Sequence, residues 1–160
     1  MTPKEFNTSV DLYSDGLYRF MLKMVRDTDI AQDLVQDIFE KLWRKINHTE
    51  FTNIKSYLFT TGYHLSIDFF RREKSLRNLL DSTRDFWPDS VNPEWSQKAD
   101  LQKALDLLPE VQKSVILLRD YEGYNYKEIG EITGLGESQV KVYIFRARTT
   151  LKKNLTPIPY

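Results

Sequence analysis

Apolar side chains return every three or four positions along most of this chain, the period of a helix with one buried face. Over residues 1–75 the pattern runs through Phe20 and Met24, then Ile30, Leu34, Ile38 and Leu42. Between 76 and 99 it stops, because Asp81-Ser82-Thr83, Trp87-Pro88-Asp89-Ser90 and Asn92-Pro93 break any helical register. It resumes with Leu101, Leu105 and Leu108, then Val111, Val115, Ile116 and Leu118, punctuated by Pro109, Glu122-Gly123 and Gly134-Leu135-Gly136. There is no convincing strand-type alternation, internal repeat or low-complexity tract. The expected fold class is all-α: two small helical domains, 1–75 and 100–160, joined by a flexible linker over 76–99.

The stretch from Tyr126 to Arg148 carries the clearest local signal. A short helix over about 126–133 places Ile129 and Ile132 on one side, and Gly134 follows where a left-handed residue ends a helix without steric cost. Leu135 would plug the corner, and Gly136 or Ser138 would open the next helix. There Val140, Ile144, Ala147 and Leu151 form one inward stripe. Ser138, Val142, Phe145, Arg146 and Thr149 point the other way, with Gln139, Lys141 and Tyr143 at the flanks. This is a helix-turn-helix pattern, and such a unit sets the amino end of its second helix in the major groove. Ser, Gln and Lys can read base edges there, and Arg146 reaches a base or a phosphate. The competing reading is a helical hairpin whose basic end is a solvated face.

In the first half, Asp27 to Arg44 reads as a capped helix: Asp27, Thr28 or Asp29 at its start, Lys41 and Arg44 at its end. Ile30, Leu34, Ile38 and Leu42 form its inward stripe, and Asp33, Gln36, Asp37 and Glu40 a separate acidic face. Taken alone, that face reads as the solvated side of an ordinary amphipathic helix. The helix after it, about Asn53 to Arg72, mixes aromatic and basic residues: Lys55, Tyr57, Phe59, Tyr63, His64, Phe69, Phe70, Arg71 and Arg72. Aromatic rings offer stacking surfaces to unpaired bases while Lys and Arg hold phosphates. The same rings also suit a core.

Composition narrows the function classes. Hydrophobic residues at 41% and charged residues at 29% fit a folded chain. With no cysteine, disulfide frameworks, thiolate zinc sites and Cys nucleophiles are excluded. Two histidines, no Gly-rich phosphate loop and no metal-ligand cluster leave no support for an enzyme, a metal or a cofactor. Residues 1–15 lack the basic region and apolar stretch expected of a signal peptide, and no apolar run approaches a membrane span. A cytoplasmic protein is expected. Lys plus Arg equals Asp plus Glu at 23 each, whereas an unaided DNA binder usually carries a basic excess. The balance is local: Asp27 to Glu40 holds five acidic residues and no basic one, and Ser138 to Tyr160 five basic and no acidic one. Two different partners on two surfaces would account for it.

The pattern LxxALxxLPExQKxVxLLRxYEGxxYKEIGEITGxxxxxVKxxxxRARxxL resembles region 4 of the sigma-70 family, in its extracytoplasmic-function (ECF) branch, and DLVQDIFEKLW resembles that family's region 2.2 helix. The resemblance covers nearly the whole chain in the family's order. It implies a transcription initiation factor whose partners are bacterial core RNA polymerase, promoter DNA and, in many members, an anti-sigma factor. Region 4 would read the minus-thirty-five element through Ser138, Gln139, Lys141, Val142, Phe145 and Arg146, and dock on the β flap. Val142 and Phe145 would meet thymine methyls; Tyr143 and Phe145 depart from the polar or basic residues expected there. Region 2 would grip the β′ clamp helices through Asp33, Gln36, Asp37, Phe39, Glu40 and Trp43. It would open and capture the minus-ten element through Asn47, His48, Lys55, Tyr57, His64 and Arg71, with Thr60 and His64 departing from the usual Arg and Asn. A base flipped there must regain a few kcal/mol of lost stacking. The acidic face then binds protein, and the polymerase supplies most of the affinity for DNA. A linker of this length also allows the two domains to pack together in the free protein, which would leave isolated protein a weak DNA binder. The alternative is a stand-alone helix-turn-helix regulator with a sensing or dimerising amino half.

Overall fold

Capping chemistry sets where most of the longer helices begin. In the structure, a computed structural model describing residues 1–47, 52–80 and 97–155, α1 (Pro3–Val25) opens with Pro3 in its first turn. Thr2 and Glu5 cap it reciprocally. It ends at Arg26, whose φ of 60° places it in the left-handed region. Asp27 follows at once as the cap of α2 (Thr28–Arg44), accepting from the Ile30 amide at 3.0 Å. Asn53 does the same for α3 (Ile54–Leu79), accepting from Ser56 N.

These three helices form the amino-terminal unit around Leu17, Phe20, Met21 and Met24 of α1, Ile38 and Leu42 of α2, and Leu58 of α3. The inward stripe of α2 is shifted from the expected one. Ala31, Ile38, Phe39 and Leu42 are buried, whereas Ile30 and Leu34 are only half-buried. Gly62 brings α3 close: a Cβ there would stand 3.3 Å from both Ile38 Cδ1 and Met21 Sδ.

The carboxy-terminal unit consists of α4 (Gln97–Asp106), α5 (Glu110–Ile116), a π-helical turn (Leu117–Tyr121), α6 (Tyr126–Thr133) and α7 (Glu137–Leu155). The π turn is marked by Glu122 N donating to Leu117 O at 3.1 Å, and the chain then folds back with Tyr124 N on Leu118 O. It buries Leu117 and Leu118 inward and holds Asp120 against Arg148 of α7 at 2.7 Å. Asn125 and Glu128 form a capping box at α6, and Gly134, at φ 77°, ends that helix as expected. Val140, Ile144 and Ala147 of α7 are fully buried, with Leu151 half-buried beyond them.

The two units are pressed together. Phe59 of α3 meets the Tyr124 ring at 5.1 Å, and Arg19 of α1 makes a two-point contact with Glu122 at 3.0 and 2.9 Å. Lys113 of α5, 4% exposed, donates to the last-turn carbonyl of Met24 at 3.1 Å and to Asp106 at 2.7 Å. Asp106 is also ion-paired with Arg26. Among the described residues no helix is long and apolar enough to cross a membrane.

Candidate functional site

Three surfaces hold the residues singled out from the sequence. The first is the outward face of α7. Burial of Val140, Ile144 and Ala147 fixes the helix by one stripe, so Ser138, Gln139, Lys141, Val142, Phe145 and Arg146 are all exposed. Phe145, at 72% exposed, is the most prominent apolar side chain of this face. Gln139 Oε1 accepts from the Gly136 amide at 3.1 Å, so this side chain also caps the start of α7. Lys141 lies over the Tyr126 ring at 5.6 Å, and Arg146 over Tyr143 at 5.9 Å. Arg148 points away from this set to Asp120, and that hydrogen bond raises the pKa of its guanidinium. The corner between α6 and α7 is tight, since a Cβ on Gly130 would stand 2.9 Å from Leu135 O.

The second surface lies on α2. Asp33, Gln36, Asp37 and Glu40 are exposed along one face. Beside them a shallow cavity of about 400 Å³ is lined by Pro3, Phe6, Asn7, Phe39, Glu40 and Trp43. Phe39 is buried, forming a wall of this groove, whereas Trp43 is half in solvent. Phe6 meets Trp43 edge-on at 4.9 Å and Phe39 at 6.3 Å. Phe6 and Pro3 were missed in the sequence because they lie before the first regular apolar repeat. Glu40 is ion-paired with Arg44, an exposed pair of small energetic weight.

The third surface is the aromatic and basic set on α3. Asn47 and His64 are exposed, and Arg71 is exposed beside Asp68. Tyr57 is half-buried under Lys45. Lys55 is half-buried with its ammonium 4.3 Å over the Tyr124 ring of the other unit. His48 lies outside the described residues. The structure therefore groups Lys55 with Phe59 and Tyr124, not with Asn47 and Arg71. Tyr124 was not among the sequence candidates, and only its place after a Gly at the end of a helical run marked it.

Comparison with known proteins follows the same division. Residues 10–76 match the model of sigma-70 region 2, and residues 98–151 that of sigma-70, region 4. SigV, an RNA polymerase sigma factor of Bacillus subtilis (strain 168), is 31% identical over 150 residues, covering 93% of this chain and 90% of that protein. The ECF RNA polymerase sigma factor SigX of the same organism is 27% identical, covering 94% and 83%. Among solved structures, the sigma factor RpoE from Bartonella quintana, in complex with the anti-sigma factor NepR, matches with a TM-score of 0.77 at 26% identity. That match covers 98% of this chain and 99% of that one. The chain belongs to the extracytoplasmic-function branch of the sigma-70 family, whose members are promoter-specific transcription initiation factors.

Proposed function

We propose that the three surfaces divide the work of initiation among them. The outward face of α7 reads the minus-thirty-five element through Ser138, Gln139, Lys141, Val142, Phe145 and Arg146. The supporting observation is that all six are exposed on a helix whose opposite stripe is fully buried. The acidic face of α2, with Phe39, Trp43 and the groove beside them, docks on the β′ clamp helices of core polymerase. Asn47, His48, Lys55, Tyr57, His64 and Arg71 serve the opened minus-ten strand. Residues 1–75 and 100–160 are the two functional domains and 76–99 the tether, although α3 runs on to Leu79 and α4 begins at Gln97, so the tether is shorter at both ends than expected; region 4 also meets the β flap. The protein acts in the cytoplasm, by binding and not by catalysis. An anti-sigma factor is its proposed regulator, by likeness to the RpoE structure solved with one.

The test is reconstitution of the purified chain with bacterial core RNA polymerase, followed by promoter-dependent transcription. Start-site-specific RNA is expected. Asp33→Arg combined with Asp37→Arg should abolish co-purification with core while circular dichroism is unchanged, because both carboxylates are exposed and their reversal repels a basic partner. Retained binding by that double variant would remove α2 from the docking surface. Tight unaided binding to duplex DNA without polymerase binding would favour a stand-alone regulator.

A further inference from the structure

The two basic residues on the reading face of α7 are held by rings. Lys141 lies over Tyr126, and Arg146 over Tyr143. Among the described residues neither cation is ion-paired with a carboxylate. The two rings differ in where they stand. Tyr143 belongs to α7 itself, whereas Tyr126 is the first residue of α6, on the far side of the Gly134 corner. Tyr126 is half-buried and gathers a second cation, because the Arg119 guanidinium of the π turn stands 4.8 Å from its ring. Arg119 is fixed in turn: it is half-buried, and its Nη1 donates to the Tyr124 carbonyl at 2.9 Å. The ring beneath Lys141 therefore has an anchored neighbour. A ring face attracts an ammonium through its quadrupole and carries no net charge. A carboxylate in the same place would also order the lysine, but it would cancel the positive charge and repel a phosphate.

We propose that Tyr126 is a positioning residue for promoter reading: its ring presets the Lys141 ammonium for the groove while leaving that charge uncancelled. This rests on the proposed reading role of α7. A lysine free in solvent must give up rotamer freedom when it binds, and the ring imposes that loss before DNA arrives. The device is separate from the one that serves Arg146, whose ring lies on the same helix three positions before it. Loss of the Tyr126 ring should therefore relax base choice where Lys141 reads, and not where Arg146 does. An exposed cation–π contact corresponds to roughly a two- to fivefold change in affinity.

The probe is a promoter duplex that the parent holoenzyme, reconstituted with core polymerase, selects from a pool randomised over the upstream element. Equilibrium binding is measured to that duplex and to its single-base variants. Tyr126→Phe keeps the ring and should match the parent. Tyr126→Leu keeps apolar bulk without the ring, and should bind about two- to fivefold more weakly. Its discrimination should fall at the base pair whose readout Lys141→Ala also erases, and stay at the parent level at the one that Arg146→Ala erases. Tyr126→Glu favours the helix start and still attracts Lys141, yet it should bind more weakly than Tyr126→Leu because it cancels charge. In a Lys141→Ala background, adding Tyr126→Leu should cause no further loss. Equal losses from Tyr126→Leu with and without Lys141 would overturn the proposal, placing Tyr126 on the DNA or in the fold. A Tyr126→Leu protein that binds and discriminates like the parent would overturn it too. Binding by Tyr126→Glu as tight as the parent's would overturn the need for an uncharged mount. If Lys141→Ala leaves every base preference unchanged, the reading role of Lys141 fails, and the positioning role with it.

Discussion

Helices α3 and α7 are both long and both carry a face proposed to meet nucleic acid, yet they are held in different ways. α7 leans on its own unit by a single stripe, Val140, Ile144 and Ala147, and everything opposite is exposed. α3 is covered on two sides. Leu58 and Gly62 settle onto α1 and α2, while Lys55 and Phe59 reach Tyr124 of the other unit. A helix buried along one stripe displays its opposite face permanently. On α3, Lys55 is engaged by the other unit, whereas His64 and Arg71 stay exposed.

The largest effects should come from testing that difference in the buried layer. Phe59→Ala removes a ring shared between Phe20 and Tyr124, and should cost about 3–5 kcal/mol in urea-induced unfolding. Ile144→Ala in α7 should cost about 2–5 kcal/mol. Only the α3 substitution should also separate the two units below the unfolding transition, read as a fall in energy transfer between fluorophores on cysteines introduced at the exposed positions Lys41 and Lys153. If Ile144→Ala separated the units as readily, the description of α7 as packed only within its own unit would fail.

A smaller effect is expected at the α7 surface. Arg146→Ala should lose about 1–3 kcal/mol of discrimination at the upstream promoter element in holoenzyme binding, with folding stability within about 0.5 kcal/mol of the parent. Assembly with core polymerase should be unaffected. Unchanged promoter occupancy would count against α7 as the reading helix.

The smallest effect is expected at Tyr124, whose hydroxyl is buried without a hydrogen-bond partner among the described residues. Tyr124→Phe keeps the ring against Phe59 and should be neutral or slightly stabilising at neutral pH. Burial raises the phenol pKa of Tyr63, Tyr121 and Tyr124 above the ordinary 10.0. The unfolded chain therefore gives up these protons first. Their contribution is intact below pH 10.0 and is lost as pH rises towards the folded values. Lys113, lowered by burial, works in the opposite sense: stability rises as pH climbs from its folded pKa to the ordinary 10.5. Comparing parent and Tyr124→Phe in alkaline urea titrations isolates the tyrosine, and the variant should decline less. Identical alkaline profiles would mean that Tyr124 is solvated.

What the sequence revealed follows from the same contrast. The α7 stripe, the Gly134 stop and the α6 helix were legible because each depends on residues within one or two turns. The family, too, was legible, since its punctuation is local. Ile38 and Leu42 of α2 are buried as expected, but the start of the stripe was misjudged because Ala31 contributes little to an apolar repeat yet is fully buried. The aromatic residues of α3 were ambiguous for a deeper reason: a second neighbour, supplied by Tyr124, lies far along the chain and leaves no periodic mark on α3 itself. The π turn at Leu117–Tyr121 was equally hidden, as its extra residue changes which side chains face inward without changing composition.

The bond from Gly136 N to Gln139 Oε1 constrains how promoter preference could be rewritten. With one lone pair of its oxygen committed to the helix start, Gln139 turns its amide hydrogens to the groove, and in this pose it favours base edges that present acceptors. Exchanging it for a shorter or apolar side chain would alter base choice and fray the reading helix together. Val142 and Phe145, exposed and without such a duty, are the positions where new specificities can be selected at least structural cost.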